Sequence, residues 1–166
     1  MKNLTDSSFV ADRYLETKGV RDMQKELTYE DIQIGDCATF SKTISEFDIY
    51  QFAGITGDFN PMHINEEFAD TTIFEDRIAH GLLTGSFIST VLGMKLPGPN
   101  TIYLSQSFSF TAHVKIGDTI TAKVEVIEKR DDKKFIKLNT RVWNQHNKMV
   151  VDGEALVMKK YLNNKK

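Results

Sequence analysis

The chain has 166 residues, 40% apolar and 27% charged, with a formal net charge of −2: enough for one domain with a real core, and without the basic face that broad nucleic-acid binding requires. Its one cysteine, Cys37, excludes an internal disulfide and points to a reducing cytoplasm. Residues 1–20 lack the apolar centre of a signal peptide, and the most apolar run, residues 81–96, is too short and too polar (Thr84, Ser86, Ser89, Thr90, Lys95) to predict a membrane span.

Residues 1–26 mix charges with isolated apolar positions such as Phe9, Val10, Tyr14 and Leu15. They read as an N-terminal extension outside the core, with a short helix fitting residues 11–18. A single domain is expected over residues 27–162, followed by a polar tail, 163–166. Residues 30–36 read as a turn and residues 37–44 as a strand alternating Ala38, Phe40 and Lys42 with Thr39, Ser41 and Thr43. Ser45 caps the next helix, and Asp48, three positions on, completes a capping-box pattern with Asp in place of Glu or Gln. Phe47, Tyr50, Ala53 and Gly54 recur at helical spacing. Gly57 stops this helix after Thr56, and a loop over residues 58–63 follows.

Asn65-Glu66-Glu67-Phe68-Ala69 predicts one or two helical turns with acids at the favourable end, and residues 71–79 a connection. Residues 81–94 are apolar nearly all the way round, which predicts a helix buried on most sides; Pro97-Gly98-Pro99 ends it. Four strands are then predicted, over residues 103–114, 119–129, 135–144 and 149–161, the last with a bulge near Gly153. Short turns between them imply an antiparallel meander. The fold class is α+β: a strongly curved antiparallel sheet wrapped round a buried central helix, the shape called a hotdog fold.

The chemistry gathers at Gly57-Asp58-Phe59-Asn60-Pro61-Met62-His63. A spacing of five does not place two side chains on one helical face, and Pro61 biases Asn60 away from helical geometry. A bend there turns Asp58 and His63 toward one point, where a carboxylate and an imidazole make an acid/base pair for one water. An Asx-turn beside a surface histidine is the alternative. No Cys/His cluster has zinc spacing and no G-x-S-x-G nucleophile motif is present. Lys115, Lys129, Arg130, Lys133 and Lys134 read as solvated turn charge rather than as contacts to a phosphate. His113 and His146 receive no role.

The ordered stretch Phe52-Ala53-Gly54-Ile55-Thr56-Gly57-Asp58-Phe59-Asn60-Pro61-Met62-His63, followed by Ala79-His80-Gly81-Leu82-Leu83, closely resembles the MaoC-like (R)-specific enoyl-CoA hydratases. The resemblance extends over about residues 27–160, including Ile34-Gly35-Asp36 and Leu96-Pro97-Gly98. It implies reversible syn hydration of a trans-2-enoyl-CoA to a (3R)-3-hydroxyacyl-CoA, with no metal and no redox cofactor, coenzyme A being part of the substrate. It also implies that Asp58 takes a proton from water while His63 holds and polarises that water and shares in proton transfer. The Gly81 N–H, at a helix start, faces the charge that develops on the thioester oxygen. Asn60 then shapes the loop, and Ser89 is either the side-chain partner within the site or a small packing residue. His80 is favoured as a structural histidine. An acyl-CoA thioester substrate is implied, with at least a homodimer whose two protomers line the acyl tunnel. A non-catalytic acyl-CoA-binding domain and a thioesterase are the alternatives.

Overall fold

The computed structural model describes residues 26–160. The expected helix at 11–18 and the tail at 163–166 lie outside the described residues. In chain order the elements are β1 (Cys37–Thr43), α1 (Glu46–Thr56), α2 (Pro61–Ile64), α3 (Glu66–Asp70), α4 (Gly81–Met94), β2 (Thr101–Phe110), β3 (Thr119–Arg130), β4 (Phe135–Asn144) and β5 (Met149–Lys159).

Local signals set the first half. Ser45 and Asp48 form both arms of the capping box, and Gly57, at φ 79°, closes α1 in the left-handed region that glycine adopts without a Cβ penalty. Of the residues at helical spacing, Ala53 faces inward and Phe47 and Tyr50 do not. Ile49 and Ala53 are buried, whereas Phe47 is 66% exposed and Tyr50 is also exposed. Both sets sit at helical spacing, so periodicity alone did not choose between them; Tyr50 instead hydrogen-bonds outward to the Ile64 carbonyl and receives Arg77.

The five strands form one antiparallel sheet in the order β1-β3-β4-β5-β2. The meander therefore holds for β3, β4 and β5 only. The strand expected to reach residue 114 ends at Phe110, and residues 111–118 cross over rather than turn back, so β2 pairs with β5 and β1 with β3. The crossing is pinned where the Ala79 N–H donates to the carbonyl of buried Val114. No bulge occurs at Gly153, which stays in register with Phe108 and Thr140. Register shifts fall at Tyr103/Ser105, Val126/Glu128 and Val142/Trp143 instead.

One face of the sheet (Ile120, Ala122, Val124, Val126, Ile136, Leu138, Val142, Ala155, Val157) packs with Leu83, Ile88, Val91 and Leu92 of α4 in a single core. Each Val, Leu or Ile among these contributes about 1.5–3 kcal/mol when fully buried. The central helix is not buried on most sides within one chain. Leu82 (59% exposed), Ser86, Ser89, Gly93 and Met94 form an open stripe along it. Beyond α4, buried Lys159 donates to the carbonyls of Pro97 and Pro99, which fixes the turn that carries the chain into β2.

Candidate active site

The segment between α1 and α4 is part loop and part helix. Pro61 occupies the first helical position of α2, where its missing N–H costs nothing, and the Asn60 side chain caps it by accepting from the Met62 N–H at 3.2 Å. The expected loop over residues 58–63 is thus corrected: its second half is a capped helical turn, which swings His63 inward. Upstream, the Asp58 carboxylate accepts from the Asn60 N–H at 3.3 Å, so an Asx-turn is present. It does not come with a surface histidine, because His63 is 7% exposed.

His63 Nδ1 lies 2.7 Å from the Ile78 carbonyl. A carbonyl only accepts, so Nδ1 carries the proton and the neutral ring keeps a lone pair on Nε2. Burial pushes the His63 pKa below the usual histidine value, with the neighbouring His80 acting the same way and the Ile78 carbonyl and Asp58 opposing. The ring is therefore neutral and basic at pH 7. His80 is 2% exposed, packs on His63 with ring centroids 3.8 Å apart and a tilt of 34°, and places Nε2 3.0 Å from the Asp58 carbonyl and 3.9 Å from its carboxylate.

Asp58, His63, His80 and Gly81 line one cavity of about 600 Å³, together with Phe110 and His113. The cavity also meets the N-terminus of α4, which no side chain among the described residues caps. Its first N–H groups are the orphan donors of a helix start and carry its positive partial charge. The arrangement combines a half-exposed carboxylate, a neutral imidazole fixed in one tautomer and a set of anion-stabilising donors. Asp58, His63 and His80 also offer ligand atoms within 4.8 Å of one another. Each ring commits one nitrogen to a carbonyl and keeps the other, and the two rings lie tilted by 34° against one another.

Residues 32–148 match the model of the MaoC like domain. The chain belongs to the MaoC-like family. Over 130 residues this MaoC-like chain is 52% identical to a Rhodospirillum rubrum (R)-specific enoyl-CoA hydratase, covering 78% of the chain and 90% of the relative. It is 46% identical over 131 residues to a Methylorubrum extorquens 3-hydroxybutyryl-CoA dehydratase, covering 79% and 83%. The solved (R)-hydratase from A. caviae superposes with a TM-score of 0.77 at 42% identity, over 79% of this chain and 99% of that one. Its sheet wrapped on a helix is the hotdog architecture expected for the MaoC-like family.

Within this MaoC-like chain, the structure brings together Asp58, His63 and Gly81. Asn60 stands outside the cavity as the cap of α2. Ser89 is not brought to the pair. Eight residues on from Gly81, about 12 Å along the helix axis, it lines a second cavity with Leu82, Gly85, Ser86, Tyr103 and Phe108. The reason is the helix itself: Ser89 faces the open stripe, whereas the cavity opens at the helix start. Two residues gain a place they were not given, His80 and His113; the latter packs edge-on against Phe74. The signal for His80 was its position directly before an uncapped helix. The turn cations lie elsewhere: Lys115 pairs with Asp76, Arg130 with Asp132, and Lys129 donates to the Tyr29 carbonyl.

Proposed function

We propose that the protein is an (R)-specific enoyl-CoA hydratase, a hydro-lyase that adds water reversibly and syn to a trans-2-enoyl-CoA and yields a (3R)-3-hydroxyacyl-CoA. The observation that carries this reading is one cavity holding the Asp58 carboxylate, the His63 imidazole and the uncapped start of α4 at Gly81. Water sits between Asp58 and the His63 Nε2 lone pair. Its oxygen bonds to C3 as its proton passes to Asp58, and the C2–C3 π electrons move onto the thioester oxygen. The Gly81 N–H and the helix dipole stabilise that enolate. The proton held by the Asp58/His63 pair is then delivered to C2 from the same face, which makes the addition syn. Every proton and electron pair is accounted for by these groups and the substrate, so the scheme calls for neither metal nor redox cofactor; coenzyme A enters as part of the thioester.

The open stripe of α4 continues into exposed Ile102, Tyr103 and Leu104 on β2, which is an edge strand. Apolar area beside an unpaired edge suits a second copy of this chain. A homodimer formed there closes the second cavity, beside Ser89, into an acyl tunnel lined by both protomers. Among the described residues no helix is long and apolar enough to cross a membrane, and a cytoplasmic setting suits the free, exposed Cys37 thiol. Loss of the enoyl-thioester absorbance of crotonyl-CoA, with chiral analysis of the product, tests the activity. Failure to hydrate any short or medium trans-2-enoyl-CoA refutes it. Release of free thiol marks a thioesterase instead, and ligand-induced stabilisation without turnover marks a binding domain. Sedimentation of the wild type against Leu104→Asp tests the dimer.

A further inference from the structure

We infer that His80 is a positioning residue for this site: it ties the backbone of Asp58 to the start of α4 and backs the ring of His63, so that base, imidazole and N–H donors are held as one unit. The inference rests on the hydratase reading. Three contacts carry it. First, the bond from His80 Nε2 to the Asp58 carbonyl is 3.0 Å, whereas the other bonds of Asp58, from its own N–H to Thr56 Oγ1 and from the Asn60 N–H to its carboxylate, are both 3.3 Å. Asp58 stands on an exposed loop, and His80 is its firmest tie. Second, the His80 ring is wedged between His63, at 3.8 Å, and Phe52, at 5.0 Å. Third, the His80 carbonyl accepts from the Thr84 N–H at 3.1 Å and from Thr84 Oγ1 at 3.3 Å, which anchors the first turn of the helix that begins at Gly81.

The tautomer follows from the same contacts. A bond to a carbonyl requires the proton on Nε2, and Nδ1, buried and with no hydrogen-bond partner among the described residues, has no acceptor that would draw the proton there. His80 is thus a fixed donor rather than a proton carrier. Its role is mechanical: misplacing a reacting group by about 1 Å costs on the order of 100-fold in rate.

The test compares full-length wild type with His80→Gln and His80→Met. A glutamine amide nitrogen reaches close to the position of Nε2 and keeps the donor; methionine fills similar space with none. Crotonyl-CoA hydration and thermal melting are measured for each, and the His63 ring is titrated by NMR. The groups facing His63 are Asp58, His80, the Ile78 carbonyl and, across the cavity, His113. For His80→Met, kcat falls roughly 100-fold with KM little changed. His80→Gln retains most of the activity, and its His63 midpoint rises because the imidazole packed on that ring, which lowers its pKa, is gone. Wild-type kcat in His80→Met, a folded His80→Gln as impaired as the methionine variant, or an unmoved His63 midpoint overturns the inference. If His80→Met fails to fold, the rate and midpoint of His80→Gln decide; failure of both to fold makes His80 a core residue and also overturns it. A wild type that hydrates no enoyl-CoA refutes the hydratase reading instead, and the His63 midpoint still reports whether His80 governs that ring.

Discussion

Gly153 carries the sharpest prediction about the frame that holds the site. A Cβ at this position falls 2.0 Å from the Ser107 carbonyl oxygen and 3.0 Å from the Gln106 side-chain nitrogen, where ordinary contact begins at 3.4 Å. The first obstacle is backbone, in the paired strand, and cannot swing away. Gly153→Ala therefore requires β2 and β5 to part by about 1.4 Å, the difference between 3.4 and 2.0, which takes ladder bonds of about 2.9 Å beyond hydrogen-bonding range. The cost sits at or above the upper end of overpacking penalties, about 3 kcal/mol, which is roughly 6–12 °C in Tm for a domain of this size. Because β2 carries Phe110 into the cavity wall, activity falls as well. Gly54→Ala is the control: it lies inside α1, and no atom among the described residues comes within 4 Å of its added Cβ. That variant gains roughly 0.5–1 kcal/mol from helix propensity. Thermal melts of both, monitored by circular dichroism, decide the matter. A Gly153→Ala variant melting with the wild type refutes the close-approach reasoning.

Asp58→Asn keeps the size of a half-exposed side chain and removes the base, so the fold survives while kcat drops on the order of 10²–10⁴-fold; near-wild-type turnover rejects Asp58 as the base. The pH profile of kcat/KM has an acid limb from His63, and because burial lowers that pKa the limb falls below the ordinary histidine midpoint of 6.5. The same shift sets a stability term. Below 6.5 the unfolded ring takes a proton that the buried ring resists, so stability is lost as pH falls from the unfolded toward the folded pKa, and His63→Gln flattens that part of the melting curve. Lys159→Met leaves the Pro97 and Pro99 carbonyls without their buried donor, at roughly 1–3 kcal/mol, read as a drop in chemical-denaturation midpoint.

What the sequence yields depends on how local the cause is. The bounds of α4 and β4 and the cap of α1 rest on Pro97-Gly98-Pro99, on alternation, and on the Ser45–Asp48 reciprocity, all contained within a dozen residues. Sheet order is not local: nothing within residues 101–119 distinguishes a hairpin from a crossing, and long-range pairings such as the Ala79–Val114 bond, 35 positions apart, settle it. The same holds for the site. Asp58, His63 and Gly81 are legible as a pattern, but the partnership of His80 with the Asp58 carbonyl spans 22 positions and leaves no periodic trace. The place of Ser89 is likewise set by the assembled helix: eight residues of rise carry it from the helix start to the second cavity.

The open face of α4 then becomes intelligible. A helix packed on every side has its N-terminus buried, and orphan N–H groups without partners there are destabilising. In this chain the sheet covers the face bearing Leu83, Ile88, Val91 and Leu92, so the helix start can meet a cavity while its middle presents Ser86 and Ser89 outward. Phe110 and Phe108 of β2 lie over Gly81 and Gly85, where an added Cβ would meet their rings at 3.0 Å; a side chain there would require those rings to give way. Small residues on α4 thus do two things at once. They let β2 close over the core, and they leave the first N–H groups within reach of an anionic oxygen. The acid/base loop needs only to be brought to that point, and the inward turn of α2, held by Asn60 and Pro61, brings it.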